Sequence, residues 1–456
     1  MLSSVVGGSA PYGVRDGSDN LSQGGWQSVR VLLFQAPVSN VSPHSHISPP
    51  LGLAYIATHL LNEGHRVEIL DLNISGLNPR RIALTLNRFR PDVVGISAHT
   101  ETYPNAVKLA ALLKQHDSTL PVMLGGPHPS IMPEAVLAEP DIDYVVVGEG
   151  ERTAVELVAA LAEGAQPDAI AGIAGLGHTV NGSPVLNTPR PPLDAAEIGR
   201  PARHLLSLDF YEDAHNVLTA RGGCPYKCPF CSASYIWGGR RRPRPVEDIV
   251  PELEDMVRTY GAQHVFFVDD IFTLDRKWLG SLLDLLAVRV AGLTWGCATR
   301  VNLVDEVLLA RMAEAGCIGI QYGIESGAQS VLDSVKSIKK DDALNAVKWA
   351  TAVGISASCS FMIPFPDDTE QTVAETLAFM HVLKDAGGTL LMSYTTPYPG
   401  TMFAEKADEL GLKILTDDWT LFDAKHVVME TRHLTADRIE ELANQMAESV
   451  GMSRSA

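Results

Sequence analysis

Between residues 29 and 165 short apolar runs alternate with longer stretches whose apolar positions recur every three or four residues. The runs Val31-Leu-Leu-Phe34, Val67-Glu-Ile-Leu70, Val93-Val-Gly-Ile-Ser97, Val122-Met-Leu124 and Tyr144-Val-Val-Val147 read as strands. Residues 51–62, 106–116 and 133–138 have helical character. Nearly continuous apolar strands separated by helices predict a parallel sheet covered on both faces. This is a doubly wound, Rossmann-like α/β domain, whose ligands belong beyond the carboxyl ends of the strands.

The pattern then breaks. Residues 166–215 are rich in Gly, Pro and Ala, with a hairpin expected at Asn181-Gly182 and an extended linker around Pro189-Arg-Pro-Pro192. From residue 216 the alternation resumes. Strand-like segments at 217–220, 264–268, 293–297, 317–323, 355–363 and 389–394 enclose helical ones at 246–260, 277–288, 305–315, 341–353 and 369–386. Six such units are two short of a complete (β/α)8 barrel, so a partial (β/α)6 barrel is expected over 216–400. Residues 401–456 turn mostly helical, notably 435–450, and read as a small appendage closing the barrel mouth. The first 28 residues are rich in Ser and Gly without a long apolar core, which favours a disordered extension over a secretory signal.

Composition narrows the function. The chain of 456 residues is 46% hydrophobic and 20% charged, enough for two or three ordinary cores. No apolar run reaches the ~18–20 residues of a membrane span. The net charge of −18 opposes binding to nucleic-acid phosphates. One basic run, Arg240, Arg241, Arg242 and Arg244, reads first as a solvated loop and second as an anion site. Of six cysteines, Cys297, Cys317 and Cys359 fall in strand-like runs as small core residues. No disulfide framework is indicated, and a reducing cytoplasm is expected.

The other three cysteines carry the chemistry, in Arg221-Gly-Gly-Cys224-Pro-Tyr-Lys-Cys228-Pro-Phe-Cys231. This spacing brings three thiolates to one short loop. An iron–sulfur cube takes four ligands, so three leave one iron open to a small molecule. A zinc knuckle requires a fourth Cys or His at similar spacing, and the next histidine, His264, lies inside an apolar run. Barrel strands place function at their carboxyl ends. There stand Asp269-Asp270, suited to an ammonium group or to capping a helix. Arg300 with Asn302 suits a carboxylate, a ribose or a structural ion pair. Glu325 lies in Gly323-Ile-Glu-Ser-Gly327, whose glycines permit close ligand approach.

The cysteine loop resembles that of the radical S-adenosylmethionine (SAM) enzymes. There SAM chelates the open iron of a [4Fe-4S] cluster and is cleaved to a 5′-deoxyadenosyl radical. The resemblance implies that Cys224, Cys228 and Cys231 ligate the cluster and that Phe230 lies beside the adenine. It further implies SAM contacts from Asp269, Asp270, Arg300 and Glu325. The first domain is similar to the cobalamin-binding domain ahead of many radical SAM cores. That likeness rests on Pro49-Pro-Leu-Gly-Leu53, Ser97-Ala-His-Thr100, Gly125-Gly-Pro-His128 and Gly148-Glu-Gly-Glu151. It implies cobalamin contacts from Ser97, Thr100, Gly125, Gly126, His128, Gly148, Glu149 and Gly150. The Asp-x-His-x-x-Gly motif of many cobalamin proteins is absent from the chain, which implies an open lower face on cobalt. His44, His46, His99 and His128 are the candidate replacements for that ligand. The resemblance thus implies a cobalamin-dependent radical SAM methyltransferase acting on an unactivated carbon of a small molecule. Its electrons would come from a donor such as flavodoxin or ferredoxin. The alternative is an oxidative cyclase or rearrangement enzyme, for example on a tetrapyrrole. Methylthiotransferases are set aside because no cysteine precedes Cys224.

Overall fold

The computed structural model describes residues 28–39, 48–211 and 215–452. All but the last residue of the expected N-terminal extension, and His44 and His46, lie outside the described residues.

Five parallel strands, Arg30–Gln35, Arg66–Asp71, Val93–Ser97, Val122–Gly125 and Tyr144–Val146, form the first sheet in the spatial order second, first, third, fourth, fifth. The order reverses between the first and third strands, which opens a crevice at their carboxyl ends. Strand Arg30–Gln35 shows why its apolar run is continuous. Leu32 and Phe34 enter the core on one face, and Val31 and Leu33 enter a separate core on the other. Helix Leu51–Asn62 has the expected bounds. Helix Tyr103–His116 begins three residues before the expected 106, at a Thr-Tyr-Pro entry whose Pro104 sits in the first turn.

The hairpin at Asn181-Gly182 is present, and it does more than connect. Its first strand, Leu176–Val180, joins the first sheet antiparallel to Tyr144–Val146, and its second, Ser183–Leu186, pairs antiparallel with the first at the sheet edge.

The second sheet is the expected open barrel of six parallel strands: Asn216–Val217, His264–Phe267, Thr294–Thr299, Cys317–Glu325, Ser356–Ile363 and Thr389–Tyr394, in sequence order. Helix Val246–Tyr260 matches its predicted bounds, and Asp275 and Thr369 cap helices Arg276–Arg289 and Glu370–Asp385. Cys297, Cys317 and Cys359 are buried in the barrel core. The first strand is shorter than expected: after Val217 the chain leaves the barrel, and Ala220–Arg221 pairs instead with Arg242–Pro243. The C-terminal helix Ala436–Ser449 packs against the barrel. It buries Ile439, Leu442 and Met446 in the barrel core cluster and binds the last barrel helix, with Lys384 Nζ 2.7 Å from the Val450 carbonyl and Arg438 Nε 2.9 Å from Glu370. Among the described residues no helix is long and apolar enough to cross a membrane.

Candidate functional site

A cavity of about 800 Å3 takes its walls from both sheets. The first sheet supplies its strand ends and turns, including Gln35, Ser97, Gly125, Gly126, Gly148, Glu149 and Gly150. The barrel side supplies Asn216, Arg221, Trp237, Val268 and Tyr398, and the segment ahead of the C-terminal helix adds Thr420, Asp423 and Lys425. Two glycines show why the turns are built as they are. Gly126 has φ +106°, and a Cβ there would stand 2.7 Å from the Ala98 carbonyl oxygen. Gly148 has φ +78° with open space where a Cβ would be, so the turn presents bare backbone.

A smaller cavity of about 200 Å3 lies at the cysteine loop, lined by Gly222, Gly223, Cys224, Arg241, Asp269 and Asp270 among others. Glu149, Arg221, Trp237 and Val268 line both cavities. The two spaces therefore share one wall.

The three thiols are half-buried and form no disulfide. Burial pushes the Cys231 thiol up to about 11, with Asp270 and the other two thiols adding to the effect, and burial also raises Cys224. Arg300 reaches the loop from the third barrel strand. Its Nη1 lies 3.7 Å from Cys228 Sγ, its Nη2 donates to the Lys336 carbonyl at 2.6 Å, and its guanidinium stands 3.9 Å above the Tyr226 ring. Glu325 ends the fourth strand at a register shift against Ser356–Ile363 and holds a left-handed φ of +73°. A positive φ is uncommon outside glycine and concentrates at functional sites. Lys336 Nζ meets its carboxylate at 2.6 Å.

At the second strand end, Asp269 accepts hydrogen bonds from the Thr219 hydroxyl at 2.8 Å and amide at 3.2 Å. Burial raises its carboxyl to about 6 against the pull of Arg241 and Thr219. Its Oδ1, and Nε and Nη1 of Arg241, are buried without hydrogen-bond partners. Asp270 lines the small cavity, and desolvation raises its carboxyl too.

The donor set fits a cube with one open iron: three thiols on one loop, beside a space edged by polar atoms that still lack partners. No three His, Cys, Asp or Glu side chains gather as a single-ion site among the described residues. The thiolates of a cube bind separate irons and need no such convergence.

Other expected contacts lie elsewhere. Thr100 and His128 are buried behind the large cavity and line neither space. His128 stacks on Tyr103 at 4.3 Å, meets Trp419 edge-on and sits 3.3 Å from the Thr100 hydroxyl. Its surroundings are thus aromatic packing, and of this turn Gly125, Gly126 and Pro127 reach the cavity. His99 does line it. Phe230 packs against Phe365 and Phe403 and faces neither cavity. The basic run is not a solvated loop. Arg240 is exposed, but Arg241 lies over Trp278 at 4.7 Å, Arg242 pairs with Glu149, and Arg244 pairs with Glu252 at 2.8 Å. Sequence reasoning missed Lys336 and Trp237, neither of which stands in a motif.

Two family models match the chain: the B12 binding domain over residues 42–158 and the Radical SAM superfamily over 220–380. A protein of Pyrococcus horikoshii described as an uncharacterized methyltransferase is 36% identical over 91% of this chain and 90% of its own length. The anaerobic magnesium-protoporphyrin IX monomethyl ester cyclase of Rubrivivax gelatinosus is 28% identical over 84% of this chain and 70% of its own. Among solved structures, the radical S-adenosylmethionine methyltransferase TsrM of Kitasatospora setae, with cobalamin and a [4Fe-4S] cluster bound, superposes with a TM-score of 0.76 at 21% identity. That match covers 93% of this chain and 89% of TsrM. A B12-binding α/β domain joined through a shared wall to an open barrel with a three-cysteine loop defines a class of enzyme. This chain belongs to the cobalamin-binding radical SAM family. The matched families are those of B12 binding and of radical SAM chemistry, so cobalamin and SAM are its cofactors.

Proposed function

We propose that the protein is a methyltransferase that moves a methyl group to an unactivated carbon of a small-molecule substrate. The observation that carries the reading is the shared wall of Glu149, Arg221, Trp237 and Val268, which sets the large cavity directly against the cysteine-loop cavity. The similarity to the Pyrococcus methyltransferase supports transfer over the cyclase chemistry of the more distant relative. When bound, the cluster and SAM supply a substrate-activating radical, and cobalamin supplies the methyl group.

The chain's own residues then have separable roles. Cys224, Cys228 and Cys231 hold the cluster. Arg300 orients the loop by stacking on Tyr226 and hydrogen-bonding Cys228. Asp270, beside the thiols, takes the SAM ammonium, and Asp269 fixes that strand end through Thr219. Glu325, held by Lys336, orients the rest of SAM. Ser97, Gly125, Gly126, Gly148 and Gly150 offer backbone and small side chains to cobalamin. Glu149 lines the same space but is committed to Arg242. Trp237 and Val268, the apolar half of the shared wall, help exclude water there. Residues 29–165 with the hairpin form the cobalamin domain, 216–400 the barrel, and 401–456 a support that also reaches the large cavity through Thr420, Asp423 and Lys425. A reducing cytoplasm and a flavodoxin or ferredoxin donor suit the free thiols and the one-electron chemistry.

The test is anaerobic reconstitution with iron, sulfide and cobalamin. The full chain is expected to take up one cluster and one cobalamin. Replacing Cys224, Cys228 and Cys231 with Ala abolishes the cluster absorbance and leaves cobalamin bound. Persistence of that absorbance in the triple variant contradicts the assignment.

A further inference from the structure

The cysteine loop stands on a two-stranded ribbon, Ala220–Arg221 antiparallel to Arg242–Pro243, in which Arg221 lies opposite Arg242. Both arginines leave the ribbon for the same turn of the other domain. Arg221 pairs with Glu151 and Arg242 with Glu149, the two carboxylates of Gly148-Glu-Gly-Glu151. None of the four side chains is more than 14% exposed. The clamp has further anchors. The Leu193 amide donates to Glu149 at 2.9 Å, Arg242 donates to the Leu193 carbonyl, and Arg221 lies 4.7 Å from the Tyr55 ring centroid on helix Leu51–Asn62.

Separating a buried pair leaves an uncompensated charge, which is strongly unfavourable. The turn and the ribbon therefore move as one piece. Gly222 and Gly223 transmit that position without slack. A Cβ on Gly222 would collide with the Arg240 carbonyl, and one on Gly223 with the carbonyls of Gly238 and Ala233. The backbone between the ribbon and Cys224 is thus fixed by contact on both sides.

We propose that this four-residue clamp couples the two cofactor sites, so that cobalamin in the large cavity sets the geometry of the cysteine loop and the cluster tightens cobalamin. Arg242 and Glu151 act as positioning residues. The inference rests on the reading that cobalamin fills the large cavity and the cluster sits on the three cysteines. Coupling between sites is reciprocal by linkage, so either cofactor reports on it. Arg242 is the informative position because it lines neither cavity.

The experiment measures hydroxocobalamin binding by absorbance, anaerobically, to full-length protein with and without its cluster. In the wild type the cluster is expected to tighten binding by about fivefold or more, the lower range of measured site–site couplings. Arg242→Gln brings the ratio to within about twofold of unity, and Arg242→Lys, which keeps the charge, retains most of it. A wild-type ratio in Arg242→Gln overturns the proposal, as does a wild type whose ratio is already unity. A second readout uses no variant. The electron paramagnetic resonance spectrum of the reduced wild-type cluster changes when cobalamin is added, and an unchanged spectrum overturns the coupling. If either cofactor fails to bind at all, the underlying reading falls and the clamp with it. Normal binding of both with no coupling removes the clamp alone.

Discussion

Lys336 Nζ lies 2.6 Å from Glu325 Oε1, and both side chains are more than nine-tenths buried. The pair holds a carboxylate in a left-handed strand end where SAM is proposed to bind. Removing only the lysine leaves a buried charge without a partner, at a cost of about 3–5 kcal/mol. Lys336→Gln is therefore expected to lower the unfolding midpoint sharply. The double variant Lys336→Gln/Glu325→Gln recovers part of that loss, because neither charge remains. Chemical denaturation of Lys336→Gln, Glu325→Gln and the double variant checks this; additive losses count against the pair.

His128 gives the fold a pH dependence of known sign. Burial holds its imidazole down to about 4, against 6.5 for the ordinary group. The unfolded chain thus binds this proton more readily than the folded one. The associated stability is complete above pH 6.5, declines as pH falls toward 4, and is then lost. Its full size is about 3 kcal/mol. Comparing the wild type with His128→Gln across this window cancels the opposing contributions of raised carboxyls such as Asp269. The stability gap between the two proteins is expected to shrink as pH falls. A gap independent of pH contradicts the buried neutral imidazole.

Two glycines of the large cavity separate strain from collision. Gly148→Ala meets open space and pays only for its positive φ, about 1–2 kcal/mol. Gly126→Ala adds a contact 2.7 Å from the Ala98 carbonyl oxygen and is expected to melt lower still. Thermal melts of the two variants rank them, and the reverse order rejects the proposed close approach at Gly126.

Much of the architecture was legible because burial on both faces writes itself as unbroken apolar runs. Val31-Leu-Leu-Phe34 feeds two cores, as a strand buried on both faces must. The cysteine spacing was legible for the same local reason. What the sequence concealed depends on distant partners. The run Arg240 to Arg244 looks like a solvated charge cluster until Glu149, 93 residues before Arg242, and Glu252 come into range. His128 shares a turn with cavity glycines, yet its ring direction is decided by Tyr103 and Trp419. Helices Pro79–Phe89 and Glu151–Ala162 were not assigned beforehand, although Asn78-Pro79 is a recognisable helix start. The amphipathic pattern of the C-terminal helix states that a face is buried and not against which element.

Methyl transfer through cobalamin can be tested before the substrate is known. Reduced, cobalamin-loaded protein is given SAM labelled in its methyl group, and the label is followed. Label is expected on the bound cobalamin, with an equal amount of S-adenosylhomocysteine. Formation of 5′-deoxyadenosine with no label on cobalamin would contradict it and favour the cyclase chemistry instead.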